Sequence, residues 1–498
     1  MLLELRGLSF RYPASPVAVL QDVSLTLAAG WTGVVGANGV GKSTLLQLAC
    51  GILSPSGGQV RLPGASYYCP QSTQTAPPEL EDFVADWGAV AGRLRAQLHV
   101  GDDWPWRFAT LSHGERKRLQ VAVALWRQPH VLALDEPSNH LDAEGRAWVL
   151  DALREYRGVG LLVSHDRALL DALATRCVLL QPGQAQVFPG NYSETMAQVR
   201  QEAAARQHAR VSAEQRLARL RQEMQRRQAD AARSDGRRSK RHLARGDSDG
   251  RARIGLAIVS GKDAVAGRRS AQLERRLERA AAAVAAIDPL TRQGGRVWSE
   301  GQAHAGNWVA ALPAQRLSLG GALSLEVPDL YVGARDRIAV LGPNGAGKSS
   351  LLELLARQEG RPGVRTLYVA QELDAAQGAR LIEDVRSRST EELGRLLAMV
   401  ARLGSAPEPL LSGGTLSPGE LRKLCLAAGL QQEVNLFILD EVTNHLDLPA
   451  MEALEEALSE SAAAMVVVSH DARFIARLCT VQWRIAVDGE QRMLQVVV

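Results

Sequence analysis

One acidic motif occurs twice in the chain, and it limits the possible folds more than any other feature. Residues 132–142 read LALDEPSNHLD, and residues 439–447 repeat the pattern as LDEVTNHLD. A glycine-rich GxxxxGKS stretch precedes each copy, at residues 36–43 and 342–349. Two motifs that recur in the same order indicate an internal repeat. The chain is therefore predicted to contain one module twice.

The first glycine-rich stretch has the sequence context of a phosphate-binding loop. An apolar run at residues 32–35 predicts a buried strand before it, and the apolar residues after Thr44 predict a helix. Between a strand and a helix, such a loop turns its backbone N–H groups toward phosphate oxygens. Lys42 is expected to reach the β- and γ-phosphates, and Ser43 to hold Mg²⁺. A simple glycine-rich turn is the alternative, but the matching second copy argues against it.

Acidic residues end a predicted buried strand in each module. Residues 131–134 form a short apolar run that leads into Asp135 and Glu136. Asp440 and Glu441 stand at the same place in the second copy. Open α/β sheets bind ligands at the carboxyl ends of their strands. These carboxylates are therefore expected at the ligand-binding edge of each sheet.

Spacing identifies a further motif that corresponds between the copies. In the first module an LSHGE motif at residues 111–115 precedes Asp135. In the second, an LSPGE motif at residues 416–420 precedes Asp440, and the interval from its serine to the aspartate is identical. A competing LSGG motif at residues 411–414 lies too far from Asp440 to match this interval. LSPGE, not LSGG, is therefore predicted to be the equivalent of LSHGE.

This set of motifs resembles that of the ATP-binding cassette ATPases, and the resemblance covers both modules. It implies that Gln71 and Gln371 are the Q-loop residues, and that LSHGE and LSPGE are the signatures. ATP and Mg²⁺ are the implied ligands, with Asp135 and Asp440 as the acidic residues that help to hold the metal. The predicted fold class is accordingly α/β, with two P-loop nucleotide-binding domains of the cassette type.

The resemblance also assigns the catalytic residues. Glu136 and Glu441 would orient or deprotonate the attacking water. His165 and His470, which follow their glutamates at the same interval in both modules, would be the switch histidines near the γ-phosphate. Both modules keep this set, so neither site is degenerate by residue type.

Nucleotide and metal ligands follow residue by residue from the family motifs. The nucleotide-binding residues expected in the first module are Tyr12, Gly36, Asn38, Gly39, Gly41, Lys42, Ser43, Thr44, Gln71, Ser112, Gly114 and Glu115. Those expected in the second are Gly342, Asn344, Gly345, Gly347, Lys348, Ser349, Ser350, Gln371, Ser417, Gly419 and Glu420. The expected Mg²⁺ ligands are Ser43, Gln71, Asp135, Ser349, Gln371 and Asp440.

One expected ligand has no counterpart. Tyr12 precedes Lys42 at the offset where the family usually stacks an aromatic ring on adenine, and the same offset before Lys348 gives Ser318. Tyr12 as an ordinary strand residue is the alternative interpretation.

The family resemblance implies that the two cassettes pair head to tail within a monomer. Each ATP would lie between the P-loop of one module and the signature of the other, so Ser417 and Gly419 would cover the nucleotide at Lys42. His113 and Pro418 stand where the family usually has the second signature glycine. Pro418 has no backbone N–H to offer a phosphate.

The segment between the modules differs from both in charge and periodicity. Residues 200–280 carry 22 Lys and Arg against 10 Asp and Glu, although the whole chain has a net charge of only +4. Apolar residues spaced by three or four predict two helices with one narrow apolar stripe each: Val211, Leu217, Leu220 and Met224 in the first, and Leu273, Leu277, Val284 and Ile287 in the second. A basic, glycine-rich tip is expected between them, at residues 236–267. We predict domains at residues 1–193 and 289–498 with a helical hairpin at 194–288, and a polyanion as its partner. A solvated, disordered linker is the alternative.

Tandem cassettes with EPSNHLD and EVTNHLD motifs and a charged helical linker resemble the ABC-F proteins, whose members act on ribosomes. The resemblance implies that residues of about 200–280 contact rRNA and peptidyl-tRNA at the tRNA exit site, to adjust translation or displace antibiotics. Two alternatives stay open, an ATPase subunit of a transporter with separate membrane subunits and a DNA-acting repair ATPase.

Other sequence features narrow the subtype and the compartment. The interval from Gln71 to Ser112 is shorter than that from Gln371 to Ser417, which leaves no room for the inserted arm of several housekeeping members. The chain also ends at Val498 without a further extension, and both features resemble the antibiotic-resistance members more. The sequence contains no run of roughly 18 to 20 apolar residues and no signal peptide. Together with five scattered cysteines, this predicts a cytoplasmic protein without a membrane domain.

Overall fold

A computed structural model describes most of the chain. The described residues are 1–13, 17–238, 262–286, 297–320, 323–357, 363–371, 375–405, 416–444, 446–488 and 491–497. They form two compact units, one made of Met1–Thr195 with Arg292–Val498 and the other of Met196–Thr291. The domain boundaries expected after residues 193 and 288 stay predictions.

The first module begins with strands and continues as alternating strands and helices. Its strands are β1 Leu2–Phe10, β2 Leu20–Ala28, β3 Gly30–Val35, β4 Gly57–Arg61, β5 Ser66–Cys69, β6 Val131–Asp135, β7 Val159–Val163, β8 Ala174–Gln181 and β9 Gln184–Pro189. Its helices are α1 Lys42–Ala49, α2 Leu80–Ala85, α3 Ala89–Gln97, α4 His113–Trp126, α5 Ala143–Arg154 and α6 Arg167–Leu173, with a 3-10 helix at Trp104–Thr110.

The long helix α7 Tyr192–Arg238 and helix α8 Lys262–Ala286 follow. The second module then repeats the pattern of the first. Its strands are β10 Trp308–Leu312, β11 Gln315–Gly320, β12 Leu323–Val327, β13 Leu330–Gly333, β14 Arg337–Leu341, β15 Thr366–Val369, β16 Leu436–Asp440, β17 Ala464–Val468, β18 Val481–Asp488 and β19 Gln491–Val497. Its helices are α9 Lys348–Arg357, α10 Ala375–Ser387, α11 Thr390–Arg402, α12 Pro418–Leu430, α13 Leu448–Glu460 and α14 Ala472–Leu478.

The two modules share one sheet topology. The first has a six-stranded sheet in the order β5-β6-β7-β3-β8-β9, in which only the β8–β9 pairing is antiparallel. The second has the equivalent order β15-β16-β17-β14-β18-β19 within an eight-stranded sheet. A separate antiparallel sheet of β2-β1-β4 belongs to the first module. The α/β fold predicted from the repeat is confirmed.

The strands that end in the acidic residues, β6 and β16, are otherwise apolar because they are buried. All five residues of β6 and all five of β16 are buried, because helices cover both faces of a parallel sheet. Asp135 and Asp440 end these strands and are buried as well. A charged side chain in such a place is costly unless it has a partner or a ligand.

The apolar stripes of α7 and α8 pack against each other. Leu217 and Leu220 of α7 form a buried cluster with Leu273 and Ala280 of α8. This confirms the predicted helix pair. Val211, expected in the same stripe, is 44% exposed, and Ile287 lies outside the described residues. Of the tip predicted at residues 236–267, residues 236–238 and 262–267 are helical instead, and residues 239–261 lie outside the described part of the chain.

No helix in the described ranges has both the length and the apolar composition needed to cross a membrane.

Candidate active sites

A glycine-rich loop joins a central strand to a helix in each module. In the first module it connects β3 to α1, and in the second β14 to α9. Gly39 and Gly345 have φ angles of +77° and +73°, and a Cβ at either position would meet no atom within 4 Å. Positive φ is a conformation that glycine adopts without strain. Each loop therefore has an open face at the start of a helix, where anions bind.

The P-loop lysines are fixed by carbonyl groups of their own loops. The Nζ of Lys42 donates to the carbonyl oxygens of Gly36 and Ala37 at 2.9 and 3.0 Å. The Nζ of Lys348 donates to those of Gly342 and Pro343, both at 2.9 Å. Burial lowers the pKa of both lysines, while nearby carboxylates partly oppose the shift. The amines are thus held at the loop before a phosphate arrives.

The glutamates after β6 and β16 have an unusual backbone conformation. Glu136 and Glu441 have φ angles of +51° and +47°. Non-glycine residues seldom adopt such angles, and structures that hold them often do so at functional sites. Each peptide N–H donates at 2.8 Å to the end of the neighbouring strand, that of Glu136 to Val163 and that of Glu441 to Val468. The turn directs both carboxylates away from the strand axis, toward the switch histidines.

Both glutamates lie beside the histidines that the family resemblance assigns to the same site. The Nε2 of His165 lies 3.3 Å from Oε1 of Glu136, and the Nε2 of His470 lies 3.1 Å from Oε1 of Glu441. The backbone N–H of His165 also donates to Oε2 of Glu136 at 3.1 Å. The structure therefore brings together, in each module, the pair that the sequence assigns to catalysis.

The two glutamates nevertheless differ in their electrostatic surroundings. Burial raises the pKa of Glu136 to about 8. Burial also acts to raise the pKa of Glu441, but the hydrogen bond and charge of His470 outweigh it and leave the pKa below its usual value. Oε2 of Glu441 accepts further hydrogen bonds from Asn444 at 2.6 Å and Gln371 at 3.2 Å. The second glutamate is thus stabilised as a carboxylate, whereas the first favours its neutral form.

Two of the predicted metal ligands, Asp135 and Asp440, are the last residues of β6 and β16. Asp440 is buried beside Ser349, its pKa is raised by burial, and neither of its carboxylate oxygens is in a well-formed hydrogen bond within the described residues. Oδ2 of Asp135 accepts a hydrogen bond from the hydroxyl of Tyr68 at 3.1 Å. Within the described ranges, no three or more His, Cys, Asp or Glu side chains are grouped so that they alone could hold a metal ion. Such a sparse oxygen set fits Mg²⁺, which keeps waters and binds substrate phosphates.

Tyr12 lies just beyond the end of β1, so it is not a strand residue. Its hydroxyl is 3.0 Å from Oγ1 of Thr44, and its ring stands edge-on to Phe10 at 4.9 Å. Ser318, at the equivalent offset, lies exposed in β11. The second module therefore has a serine where the first has Tyr12. Adenine contact by Tyr12 stays a prediction.

The signature serines begin helices in both modules. Ser112 caps α4 and Ser417 caps α12, each in a capping box with the glutamate three residues on. The carboxylates of Glu115 and Glu420 accept hydrogen bonds from the serine N–H and hydroxyl. The choice of LSPGE agrees with this matching geometry; residues 411–414 lie outside the described part of the chain. Nucleotide contact by Glu115 and Glu420 stays a prediction.

Each P-loop touches the acidic motif of the opposite module. The backbone N–H of Asn38 donates to Oδ2 of Asp447 at 2.8 Å. The side-chain amide of Asn344 donates to the carbonyl oxygen of His140 at 3.3 Å. These reciprocal contacts place the cassettes head to tail within one chain.

A cavity of about 550 Å³ opens between the modules at the first P-loop. The lining residues include Tyr12, Lys42, Ser43, Thr44, Gln71, Asp135, Glu136 and His165 of the first module, and Asn444, His470 and Asp471 of the second. Ser417 and Gly419 are not among the described residues that line it. Their closure over ATP at Lys42 stays a prediction.

Two buried cations near the Q-loops were not predicted from the sequence. Nζ of Lys117 donates to the carbonyl oxygens of Pro70 and Gln71, both at 2.9 Å. At the equivalent place, Arg422 donates to Ala370 at 3.2 Å. Each cation ties the signature helix to the segment that carries the Q-loop glutamine. The basic residues that follow both signatures were the available sequence signal.

Comparisons with known proteins agree with this architecture. A family model described as ABC transporter matches residues 20–139 and 325–444. The tylosin resistance ATP-binding protein TlrC of Streptomyces fradiae is 30% identical, over 95% of each chain. The ribosome protection protein VmlR of Bacillus subtilis is 28% identical over 97% of this chain and 87% of its own. The energy-dependent translational throttle protein EttA of Escherichia coli K12 is 29% identical over 93% and 88%.

Solved structures give the same fold. One titled RNase-L Inhibitor superposes with a TM-score of 0.63 at 19% identity, covering 98% of this chain and 90% of that one. Archaeal aABCE1, in a complex with the ribosomal stalk protein aP1, gives 0.62 at 19% identity, over 98% and 89%. At this identity the likeness shows the fold alone. With the full-length relatives, the duplicated motifs and the paired cassettes, it follows that the chain belongs to the ABC-F family of ATP-hydrolysing proteins.

Proposed function

We propose that this protein binds the ribosome and uses ATP-driven closure of its cassettes to act on translation through its interdomain hairpin. The printed names of the relatives support this, since they describe ribosome protection, translational throttling and tylosin resistance. The observation that carries the proposal is the combination of reciprocally paired cassettes with a strongly basic segment at residues 200–280. Such a segment suits a phosphate backbone, because binding releases counterions.

ATP and Mg²⁺ are the proposed ligands of both sites. Lys42 and Lys348 would hold the β- and γ-phosphates, and the serine next to each lysine would hold Mg²⁺ together with Asp135 or Asp440. When bound, Mg²⁺ would neutralise charge on the phosphate oxygens. The chain itself contributes the open loops and fixed amines already in place, which reduces reorganisation during reaction.

The glutamates of the two sites differ in their electrostatic state in the ligand-free protein. A carboxylate must be ionised to take a proton from water or to accept its hydrogen bond. Glu441 is stabilised in that form, whereas Glu136 is largely protonated at neutral pH because its pKa is about 8. We infer that, without nucleotide and Mg²⁺, the two sites differ in the protonation of their glutamates.

The proposed ribosomal contacts lie in the hairpin, at residues of about 200–280, with rRNA and peptidyl-tRNA at the tRNA exit site. The helix pair supports this placement, because several arginines of α7 are exposed while Leu217 and Leu273 are buried: Arg200, Arg206, Arg216, Arg219, Arg221, Arg226 and Arg227. The compartment proposed is the cytoplasm. The relatives include both resistance and throttle proteins at 28–30% identity. The proposed action on the ribosome is therefore to displace an antibiotic or to adjust translation.

The test is co-sedimentation with purified ribosomes of the Glu136→Gln, Glu441→Gln double variant, which would bind ATP without hydrolysing it. We expect it to pellet with ribosomes when ATP is present and to stay in the supernatant without nucleotide. Failure to pellet under either condition would sink the proposal. Competition with DNA and RNA of equal length would then identify a different polyanion.

A charge-matched pair of variants tests the role of the hairpin. The first replaces four basic residues of the hairpin by Gln: Arg237, Arg238, Lys240 and Arg241. The control replaces four exposed arginines of the cassettes: Arg61, Arg127, Arg157 and Arg335. Only the hairpin variant is expected to weaken pelleting, by about tenfold or more, and to reduce the salt dependence of binding. Equal weakening by both variants would mean that net charge alone controls binding.

A further inference from the structure

Two arginines of the first module hold the switch-histidine segment of the second. Arg146, in α5, donates from Nη1 to the carbonyl oxygen of His470 at 2.6 Å. Arg167, the first residue of α6, donates from Nε and Nη2 to Oδ2 of Asp471 at 3.0 and 2.8 Å. Its Nη1 donates to Oε2 of Glu455 at 2.7 Å. Together the two guanidinium groups bind the consecutive residues His470 and Asp471. We call Arg146 and Arg167 the arginine clamp.

The clamp lies mostly away from solvent. The side chains of Arg167 and Glu455 are 6% and 5% exposed, and that of Asp471 is 11% exposed. Charge-assisted bonds at such depth are stronger and less screened than those on the surface. The other oxygen of Asp471 accepts the backbone N–H groups of Arg473 and Phe474 at the start of α14. Asp471 therefore joins the clamp rigidly to the helix that follows the switch histidine.

The segment bound by the arginine clamp includes His470, a predicted catalytic residue of the second site. His470 lies between its clamped carbonyl and Asp471, and its Nε2 is 3.1 Å from Oε1 of Glu441. A backbone fixed on both sides of the imidazole limits the directions in which the ring can point. The position of the Glu441–His470 pair therefore depends on contacts made by the first module.

The first site cannot have the same clamp. By the spacing of the repeat, the position of Arg146 corresponds to Met451, and that of Arg167 corresponds to Ala472. Neither side chain can donate a hydrogen bond. The position of Glu455 corresponds to Leu150, which cannot accept one. The two sites have the same catalytic residues but are held differently across the interface.

We propose that Arg146 and Arg167 are positioning residues of the second ATP site, and that they make its turnover depend on contact with the first module. The inference rests on the proposed catalytic roles of Glu441 and His470. It goes further, because it assigns the second site a dependence on two arginines of the opposite cassette that have no counterpart at the first site.

The test measures second-site turnover in a Glu136→Gln background, in which the first site is disabled. Arg167→Ala is expected to lower kcat by about tenfold, as for a displaced catalytic group, with KM for ATP changed by less than about twofold. Arg167→Lys is expected to restore only part of the rate, because lysine keeps the charge but not the planar fork.

A second variant covers the case in which Arg167→Ala does not fold, since it removes the buried guanidinium that pairs with Glu455 and Asp471. Arg146→Met gives the clamp position the residue found at 451, and Arg146 is 22% exposed, so folding is at less risk. It is also expected to lower second-site kcat. Arg477→Ala is the matched control, because Arg477 pairs with Glu455 at 3.2 Å but is 55% exposed and belongs to the second module itself.

The outcomes separate the two levels of the proposal. Slower turnover in the clamp variants but not in Arg477→Ala supports the arginine clamp. Unchanged turnover in folded Arg146→Met and Arg167→Ala, or an equal loss in Arg477→Ala, overturns it. If the Glu136→Gln parent hydrolyses no ATP at all, the proposed catalytic role of the second site fails, and the clamp with it.

Discussion

At the scale of single residues, Glu136 and Glu441 show how one residue type acquires two chemical characters. Both follow a buried strand, have a left-handed backbone and meet a histidine. Glu136 nevertheless has a pKa raised to about 8 by burial, whereas His470 and its neighbours offset burial at Glu441 and lower its pKa. The sequence motif places the carboxyl, but the surrounding hydrogen bonds decide its charge.

This difference predicts opposite effects of two matching substitutions on the nucleotide-free, Mg²⁺-free protein. Folded Glu136 retains a proton that the unfolded chain loses above a pH of about 4.3, so its contribution to wild-type stability falls as pH rises from there to about 8. Glu136→Gln removes this loss and should raise Tm relative to wild type, increasingly across that window. Glu441 has a lowered pKa and stabilises the fold as an ion above the unfolded value. Glu441→Gln should therefore lower Tm at neutral pH, and the deficit should shrink in acid.

Thermal unfolding of the three proteins at a pH of about 5 and about 8 checks both signs. Shifts of Tm in the same direction for the two variants at the higher pH would contradict the assignment of protonation states.

At the scale of elements, the signature helices are defined by their first residues. The side chains of Ser112 and Ser417 accept hydrogen bonds from backbone N–H groups in the first turn of their helices. N–H groups in a first turn have no acceptor within the helix itself. Ser389 makes the same capping box at the start of α11, which carries no signature motif. The chain thus contains a signature cap and an unrelated cap of matching chemistry.

These caps allow the signature of the second module to be tested against its competitor. Ser417→Ala should cost about 1 kcal/mol of stability and also lower ATP hydrolysis, because it removes a cap and a predicted phosphate contact together. Ser389→Ala should cost a similar amount without lowering hydrolysis. Ser412→Ala, in the competing LSGG motif, should do neither. Urea unfolding and steady-state ATPase rates of the three variants decide the matter, and loss of activity in Ser412→Ala alone would reverse the assignment.

Local features of these elements could be predicted from the sequence, but contacts between elements could not. The P-loops, the acidic strand ends and the glutamate–histidine pairs depend on short spacings, and the structure has them where the motifs indicate. Val211 matches the predicted apolar stripe but is exposed. Apolar residues at intervals of three and four predict which face of a helix is buried, but they do not show how far along the helix a partner covers that face. Arg146 and Arg167 could not be recognised, since their partners lie in the opposite module, far away in the sequence, and share no motif with them.

At the scale of the whole molecule, residues of the two cassettes contact each other within one chain. Asn38 contacts Asp447, and Asn344 contacts His140, so each P-loop contacts the acidic motif of the opposite module. The arginine clamp, in contrast, has no counterpart at the first site. A single chain therefore contains both P-loops and both signature motifs, and pairing is favoured by the high effective concentration of linked modules.

Intramolecular pairing predicts that two differently inactivated chains will not complement each other. One protein would carry Lys42→Ala and Lys348→Ala, which disable both P-loops, and the other Ser112→Arg and Ser417→Arg, which disable both signatures. If cassettes paired between chains, mixing would place intact P-loops against intact signatures and restore hydrolysis. Because the reciprocal contacts form within one chain, we expect the mixture to be as inactive as its components at every protein concentration. Wild-type activity per molecule should likewise stay constant on dilution, and a rise with concentration, or activity in the mixture, would show that working sites form between chains.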